Sequence, residues 1–176
     1  MDEWDLALIR DVRTGNAEAF AALVRNYMTF VYRTAFSVVQ NSSDAEDITQ
    51  EAFIKVYKSL GMLRDEHTFP SWIAKITVRT ALDWIGRMNR YPTVAMNVEQ
   101  VTVDPHESTA VRLDMEQTLL RLSADLRTVL VLRELHGFHY EELAEILDIP
   151  VGTVRSRLHH ARLQLRLQLQ DERRTP

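Results

Sequence analysis

"EELAEILDIPVGTVRSRLHHARLQLRLQL", residues 141–169, decides the fold. It opens in glutamates, turns at Asp148-Ile149-Pro150, and then runs to Asp171 with Arg155, Arg157, Arg162 and Arg166 but no acid. Helical periods flank the turn on both sides. Leu143, Ala144 and Leu147 give the first helix an inward face, and Val151, Val154, Leu158, Ala161 and Leu165 recur at helical spacing along the second. Aspartate tolerates the left-handed or bridging backbone that a tight turn needs. Pro150 suits a first helical turn, where its missing N–H costs nothing. Gly152, Arg155, Ser156, His159 and Arg162 project from another side, flanked by Thr153, Arg157 and His160. Small and basic residues near the start of the second of two helices form the arrangement that enters the DNA major groove. Arginine bonds guanine bidentately, while Ser, Thr and His reach other base edges or phosphates. A solvated arginine face is the plainer alternative, but the long acid-free surface favours DNA.

The remainder of the chain sets that helix apart. Its 176 residues carry a formal net charge of −4, which excludes a protein that coats nucleic acid by bulk charge. Basic function must therefore be local. A second acid-poor window, 67–98, holds Lys75, Arg79, Arg87 and Arg90 against Asp83 alone. The absence of cysteine excludes a disulfide framework and a thiolate metal site. His136, His139, His159 and His160 supply four nitrogens, but their spacing matches no common zinc motif, so no metal is expected. No glycine-rich phosphate loop or nucleophile elbow is present, and neither an enzyme nor a cofactor is expected. The N-terminus is acidic where a signal peptide is basic, and no apolar run approaches the roughly 20 residues that span a bilayer. A soluble, cytoplasmic protein is the expectation.

Apolar residues recur at helical spacing almost throughout, and glycine and proline are scarce, so the fold class is all-α. Helices are expected at 3–14, 17–40, 43–60, 70–90, 106–122, 124–136, 140–147 and 150–170. Ser43-Asp44-Ala45-Glu46 reads as a capping box, and Gly137 as a helix stop free to take positive φ. Residues 91–109, with two prolines and only acidic charges, form the linker candidate between two four-helix units.

Two earlier helices carry mixed faces. In 43–60, Ala45, Ile48, Ala52, Phe53, Val56 and Leu60 point inward, while Asp47, Gln50, Glu51, Ile54 and Lys58 share another side. Acids beside an apolar residue suit a protein interface, although one stray isoleucine on an exposed face is ordinary. In 69–90, Trp72, Ile76, Ala81 and Trp84 can pack, leaving Lys75, Arg79, Arg87 and Arg90 available. Asp83 lies four residues from both Arg79 and Arg87, so an ion-pair ladder of about 0.2–0.5 kcal/mol per pair competes with DNA contact.

Three stretches together carry a family resemblance. "YEELAEILDIPVGTVRSRLHHARLQLR", 140–166, resembles the minus-thirty-five-reading segment of the extracytoplasmic-function branch of bacterial sigma-70-type sigma factors. "DAEDITQEAFIKVYKSL", 44–60, resembles the helix by which these factors grip the RNA polymerase clamp. "FPSWIAKITVRTALDWIGRMNR", 69–90, resembles the part that reads the minus-ten element. The resemblance implies a sigma-2-like helical bundle over 1–91, a flexible linker over 92–108 and a sigma-4-like helix-turn-helix domain over 109–176. It implies an accessory sigma factor without catalytic activity. Its partners would be core RNA polymerase (the clamp of the beta-prime subunit and the flap of the beta subunit), promoter DNA and an anti-sigma factor, commonly membrane-bound.

The implied minus-thirty-five contacts are Thr153, Arg155, Ser156, Arg157, His159, His160 and Arg162. The implied minus-ten contacts are His67, Phe69, Lys75, Arg79, Arg87 and Arg90, and the implied polymerase contacts are Asp47, Gln50, Glu51 and Ile54. "GMLRDEHTFP", 61–70, corresponds to a loop that captures a base flipped from the opened strand, with His67 and Phe69 as candidates; core packing suits Phe69 equally. Arg79 stands where many members have asparagine, and His160 where arginine is common, so base preference does not carry over at either position. The rival is a stand-alone helix-turn-helix regulator, which would need a receiver or ligand domain that residues 1–90 do not resemble.

Overall fold

The computed structural model describes residues 3–90 and 119–172, with the side chains of 89, 90, 171 and 172 left out. Among the described residues the chain forms seven α-helices and no strand: α1 (Glu3–Arg13), α2 (Ala17–Val39), α3 (Ser42–Ser59), α4 (Phe69–Arg90), α5 (Ala124–Glu134), α6 (Tyr140–Leu147) and α7 (Val151–Glu172). Each expected helix within those residues forms, with ends shifted by at most two positions. The linker of 92–108 and most of the helix expected at 106–122 lie outside the described residues.

The ends follow local chemistry. Asn16 caps α2 by accepting from the N–H groups of Glu18 and Ala19 at 3.0 and 3.1 Å. The expected capping box at Ser43 does not start α3. Asn41, in extended backbone, accepts from the Asp44 N–H at 3.0 Å, and Ser42 is already helical. Glu142 takes the His139 N–H at 2.7 Å at the start of α6. Asp148 closes α6 in the left-handed region (φ 56°), Gly137 takes φ 77° ahead of it, and Pro150 sits just before the first turn of α7, its carbonyl accepting from Thr153 and Val154.

Helix α2 is the central strut. Leu8, Ile9, Leu23, Val31, Phe53, Val56, Phe69 and Ile73 make one core between it and α1, α3 and α4; Ala35, Val38, Ala45, Ile48 and Ala81 continue it towards the other end. The stretch before α4 is pinned to α1, since Arg10 and Arg13 reach Glu66 at 2.7 and 3.4 Å. The second half wraps Val129, Leu132, Leu143, Ile146, Val154, Leu158 and Ala161 around the helix-turn-helix.

The halves do not stand apart. Ala74 and Val78 of α4 are buried in the second half's core with Phe138 and Leu143, and Phe30 packs there as well. Polar contacts join the same seam. Arg127, 2% exposed, donates to the Ser37 carbonyl of α2 and to the Leu122 carbonyl, both at 2.7 Å. Burial pushes its pKa down to about 10, which leaves it charged at neutral pH. Thr128 donates to the Ser37 carbonyl at 3.3 Å, and Gln40 to the Leu120 carbonyl at 2.6 Å. His136 Nε2 lies 3.1 Å from the Thr34 hydroxyl, which itself donates to the Phe30 carbonyl, and the His136 ring sits 4.1 Å from that of Phe30.

Burial first, and then the Arg33 charge, push the His136 pKa down to about 4, so the folded chain holds this imidazole neutral. An unfolded histidine titrates near 6.5, hence the unfolded state takes the proton first as pH falls. The His136 contribution is complete above about pH 6.5 and is lost progressively towards pH 4. Urea midpoints should therefore drop between pH 7 and pH 5, and His136→Gln should flatten that slope. Separately, Asn41→Ala should cost about 1 kcal/mol, read from thermal or urea unfolding at pH 7.5.

Candidate nucleic-acid and protein interfaces

The turn at Asp148 aims α7 so that its apolar stripe is sealed and its other sides face outward. Val154, Leu158 and Ala161 are fully or almost fully buried, while Arg155, Ser156, His159, His160 and Arg162 are exposed and Thr153 and Arg157 are half-buried. Arg155, His159, Arg162, Leu163 and Arg166 line one shallow groove along the helix. A straight basic track on an exposed helix face is suited to phosphates and base edges.

The arginines differ in their ties. Arg157 Nη2 meets Asp125 of α5 at 2.6 Å, and Arg162 bonds Glu134 of α5 at 2.6 and 3.1 Å. Hydrogen bonds to Glu134 and Tyr140 push the Arg162 pKa up. Arg155 makes no ion pair among the described residues. Ser156 donates back to the Thr153 carbonyl at 3.0 Å, which leaves its oxygen lone pairs outward. Arg166 was absent from the expected contacts, although its spacing from Arg155 and Arg162, eleven and four residues, places it on their face.

The expected minus-ten residues scatter. Phe69 is 0% exposed, edge-on to Tyr27 at 5.0 Å; it is core, and could offer a ring to a base only by leaving the packed interior. His67 is exposed in a single turn of 3-10 helix, Glu66–Thr68, that Asp65 caps at 2.9 Å. Arg79 is exposed. Arg87 turns from Asp83 to Glu51 of α3 at 2.9 Å and lies 5.4 Å from the Trp84 ring centroid, so the expected ladder gives way to a bridge between helices. Lys75 is half-buried in a cleft with Glu145, Asp148 and Pro150. The Arg90 side chain lies outside the described residues.

On α3, Asp47, Gln50 and Ile54 are exposed, Ile54 by 54%. Glu51 is not free in the same way. Burial raises its pKa, but hydrogen bonds from Lys55 and Arg87 outweigh this and hold it below the ordinary carboxylate range. Tyr57 and Met62 are 54% and 81% exposed and extend the apolar side of this face. Tyr57 follows Ile54 by one helical step, a signal visible in the sequence that the inward-stripe reading passed over. The four histidines do not converge: His136 faces α2, while His159 and His160 are exposed on α7.

Known proteins share both halves. The family model for sigma-70 region 2 matches residues 23–91 and that for sigma-70 region 4 matches residues 112–165. The chain is 35% identical to the ECF RNA polymerase sigma-E factor of Haemophilus influenzae, over 94% of this chain and 95% of that one. It is 34% identical to the RNA polymerase sigma-H factor of Pseudomonas aeruginosa, over 91% of each. The fold resembles the sigma factor RpoE solved with the anti-sigma factor NepR from Bartonella quintana, with a TM-score of 0.74, 22% identity and coverage of 88% and 98%. It also resembles CnrH solved with the cytosolic domain of CnrY, with a TM-score of 0.68, 24% identity and coverage of 96% and 99%. Both regions lie in order on one all-α chain whose curated relatives match it nearly end to end, and the chain therefore belongs to the extracytoplasmic-function branch of the sigma-70 family of RNA polymerase sigma factors.

Proposed function

We propose that this sigma factor joins core RNA polymerase through the Asp47, Gln50 and Ile54 face of α3, reads the minus-thirty-five element with α7, and reads the minus-ten element with α4 and the loop before it. It works in the cytoplasm as a non-catalytic subunit, and an anti-sigma factor restrains it. The observation that carries the reading is the exposed basic track Arg155, His159, Arg162 and Arg166 on an otherwise acidic protein. A chain of net charge −4 gains little from non-specific phosphate attraction, so its DNA contact must be local and its delivery to promoters must come from a larger partner.

Glu51 supports the polymerase face by a different route. Its bond to Arg87 ties α3 to α4, and Lys55, paired with Glu51 within α3, itself donates to the Thr80 hydroxyl of α4 at 3.0 Å, which supports a fixed placing of the proposed clamp-facing helix relative to the proposed minus-ten helix. Among the described residues no helix is long and apolar enough to cross a membrane.

Run-off transcription tests the reading: core polymerase from the same host, with and without this protein, on a promoter library, with transcript starts sequenced. New starts sharing two spaced upstream motifs are the expected result, and no new starts from an active core would overturn it. Arg155→Ala should cost about 1–3 kcal/mol of promoter binding by the holoenzyme if it reads a base, and less on a scrambled minus-thirty-five element. Equal loss on both would make it a phosphate contact. Ile54→Ala should weaken assembly with core by about 1 kcal/mol or more in a competition titration, leaving the unfolding midpoint nearly unchanged because the side chain is exposed.

A further inference from the structure

Arg162 is held from two sides for so exposed a cation. Its Nε and Nη2 both donate to one oxygen of Glu134, at 3.1 and 2.6 Å, and Tyr140 is a further hydrogen-bond partner. Glu134 ends α5 and Tyr140 begins α6, so two helices other than its own fix this side chain. Both members of the ion pair are nevertheless about half open to water, by 47% and 51%, and exposed pairs contribute little to folding. Stability gives little reason for the arrangement.

Position gives a better one. Arg162 lines the groove on α7 with Arg155, His159, Leu163 and Arg166. A guanidinium carries five donor hydrogens; Glu134 takes two and Tyr140 one, which leaves two to face outward. Arg157 differs. Its side chain is 27% exposed, it meets Asp125 through a single bond, and it lies outside the groove.

We propose that Glu134, with Tyr140, is a positioning residue for promoter recognition: it fixes Arg162 so that the remaining donors meet one backbone phosphate in one docking register of α7. The inference rests on the reading of α7 as the minus-thirty-five reader. Phosphate contacts carry no sequence information of their own, but they set where a helix lies against the base edges. A freely rotating arginine follows a phosphate and so tolerates a shifted register. A pinned one does not.

The carboxylate makes the difference selective. With α7 in register, a phosphate takes the outward donors of Arg162 while Glu134 keeps its own. Out of register, Arg162 must leave Glu134 to follow the phosphate, and the freed carboxylate then repels the DNA backbone. Both losses fall on the wrong sequence alone, so an acid beside a DNA-facing groove adds discrimination against it. Arg155, near the start of α7 where a recognition helix reaches base edges, depends on that register.

Holoenzyme binding to promoters with an intact or a scrambled minus-thirty-five element tests this. Glu134→Gln keeps the size of the side chain and removes its charge. It should lower the preference for the intact element about threefold, with binding to the scrambled one unchanged or tighter. In an Arg162→Ala background the same substitution should change the preference no further. An unchanged preference, equal weakening on both elements as a merely structural role would give, or a loss that persists without Arg162 overturns the proposal. Arg162→Lys keeps the charge without the planar fork and should lose the preference likewise; full preference with lysine overturns the proposal even if Glu134→Gln folds poorly. Arg162→Ala should also lower the salt slope by about 1, and an unchanged slope, which means that Arg162 meets no phosphate, overturns it too. A wild-type holoenzyme that does not distinguish the two elements would instead remove the minus-thirty-five reading of α7, so the two failures are told apart.

Discussion

A guanidinium taken out of water sets the terms on which the two halves of this chain meet. Arg127 is almost wholly buried, and among the described residues its hydrogen bonds go to no carboxylate but to the carbonyls of Ser37 and Leu122. Hydrogen bonds from a charged donor contribute about 1.5–3 kcal/mol each, and the cost of desolvating such an ion in a real protein is several kcal/mol. The two are comparable. What tips the seam towards closure is the apolar contact beside it, where Ala74 and Val78 meet Phe138 and Leu143. Helix α5 is placed by this arrangement, and with it the two acids that orient the arginines of α7.

Those acids explain how an acidic protein can present a basic surface. Asp125 and Glu134 hold Arg157 and Arg162 at 2.6 Å, with the partners still substantially open to water. Pairs of this kind contribute about 0–1 kcal/mol. They are strong enough to limit the arginines' rotamers and weak enough to be exchanged when a phosphate with its releasable counterions arrives. Among the described residues Arg155 and Arg166 make no such ion pair, so the groove carries one tied arginine, Arg162, between two untied ones.

Most of the fold was legible in the sequence because it depends on near-neighbour rules. The steps from Val154 to Leu158 and Ala161, the left-handed Asp148 and the stop at Gly137 are all settled within a turn or two of helix. What escaped depends on residues distant in sequence. Arg127 meets Ser37 across 90 positions and His136 meets Thr34 across 102, and no periodicity announces such pairs. Arg87 had Asp83 four residues away but found Glu51, 36 residues away, in better reach. Phe69 illustrates the opposite difficulty. Its position at the end of the loop 61–70 invited a role in base capture, while its size and apolarity equally fitted the core, and the structure packs it against Tyr27. Asn41 preceded a serine that could also cap, and the extended backbone at Asn41 made the choice.

Helix α4 faces two demands that its residue sizes reconcile. Phe69 and Ile73, its large apolar residues, are directed into the first core with Leu23 and Val56, whereas the face given to the seam carries alanine and valine at 74 and 78. Fully burying a valine is worth about 1.5–3 kcal/mol and an alanine less, so the seam side of α4 contributes less to burial than the side that holds Phe69 and Ile73. The second half similarly keeps Leu132, Leu143, Val154 and Leu158 packed among its own helices. Each half therefore has a core of its own, while the seam between them also buries aromatic contact, the Phe30 ring lying 4.1 Å from that of His136 and 6.2 Å from that of Phe138. Leucines at 74 and 78 would overfill the space beside Phe138 and Leu143, and overpacking a formed core costs about 1–3 kcal/mol; alanine and valine let α4 approach α6 closely without it.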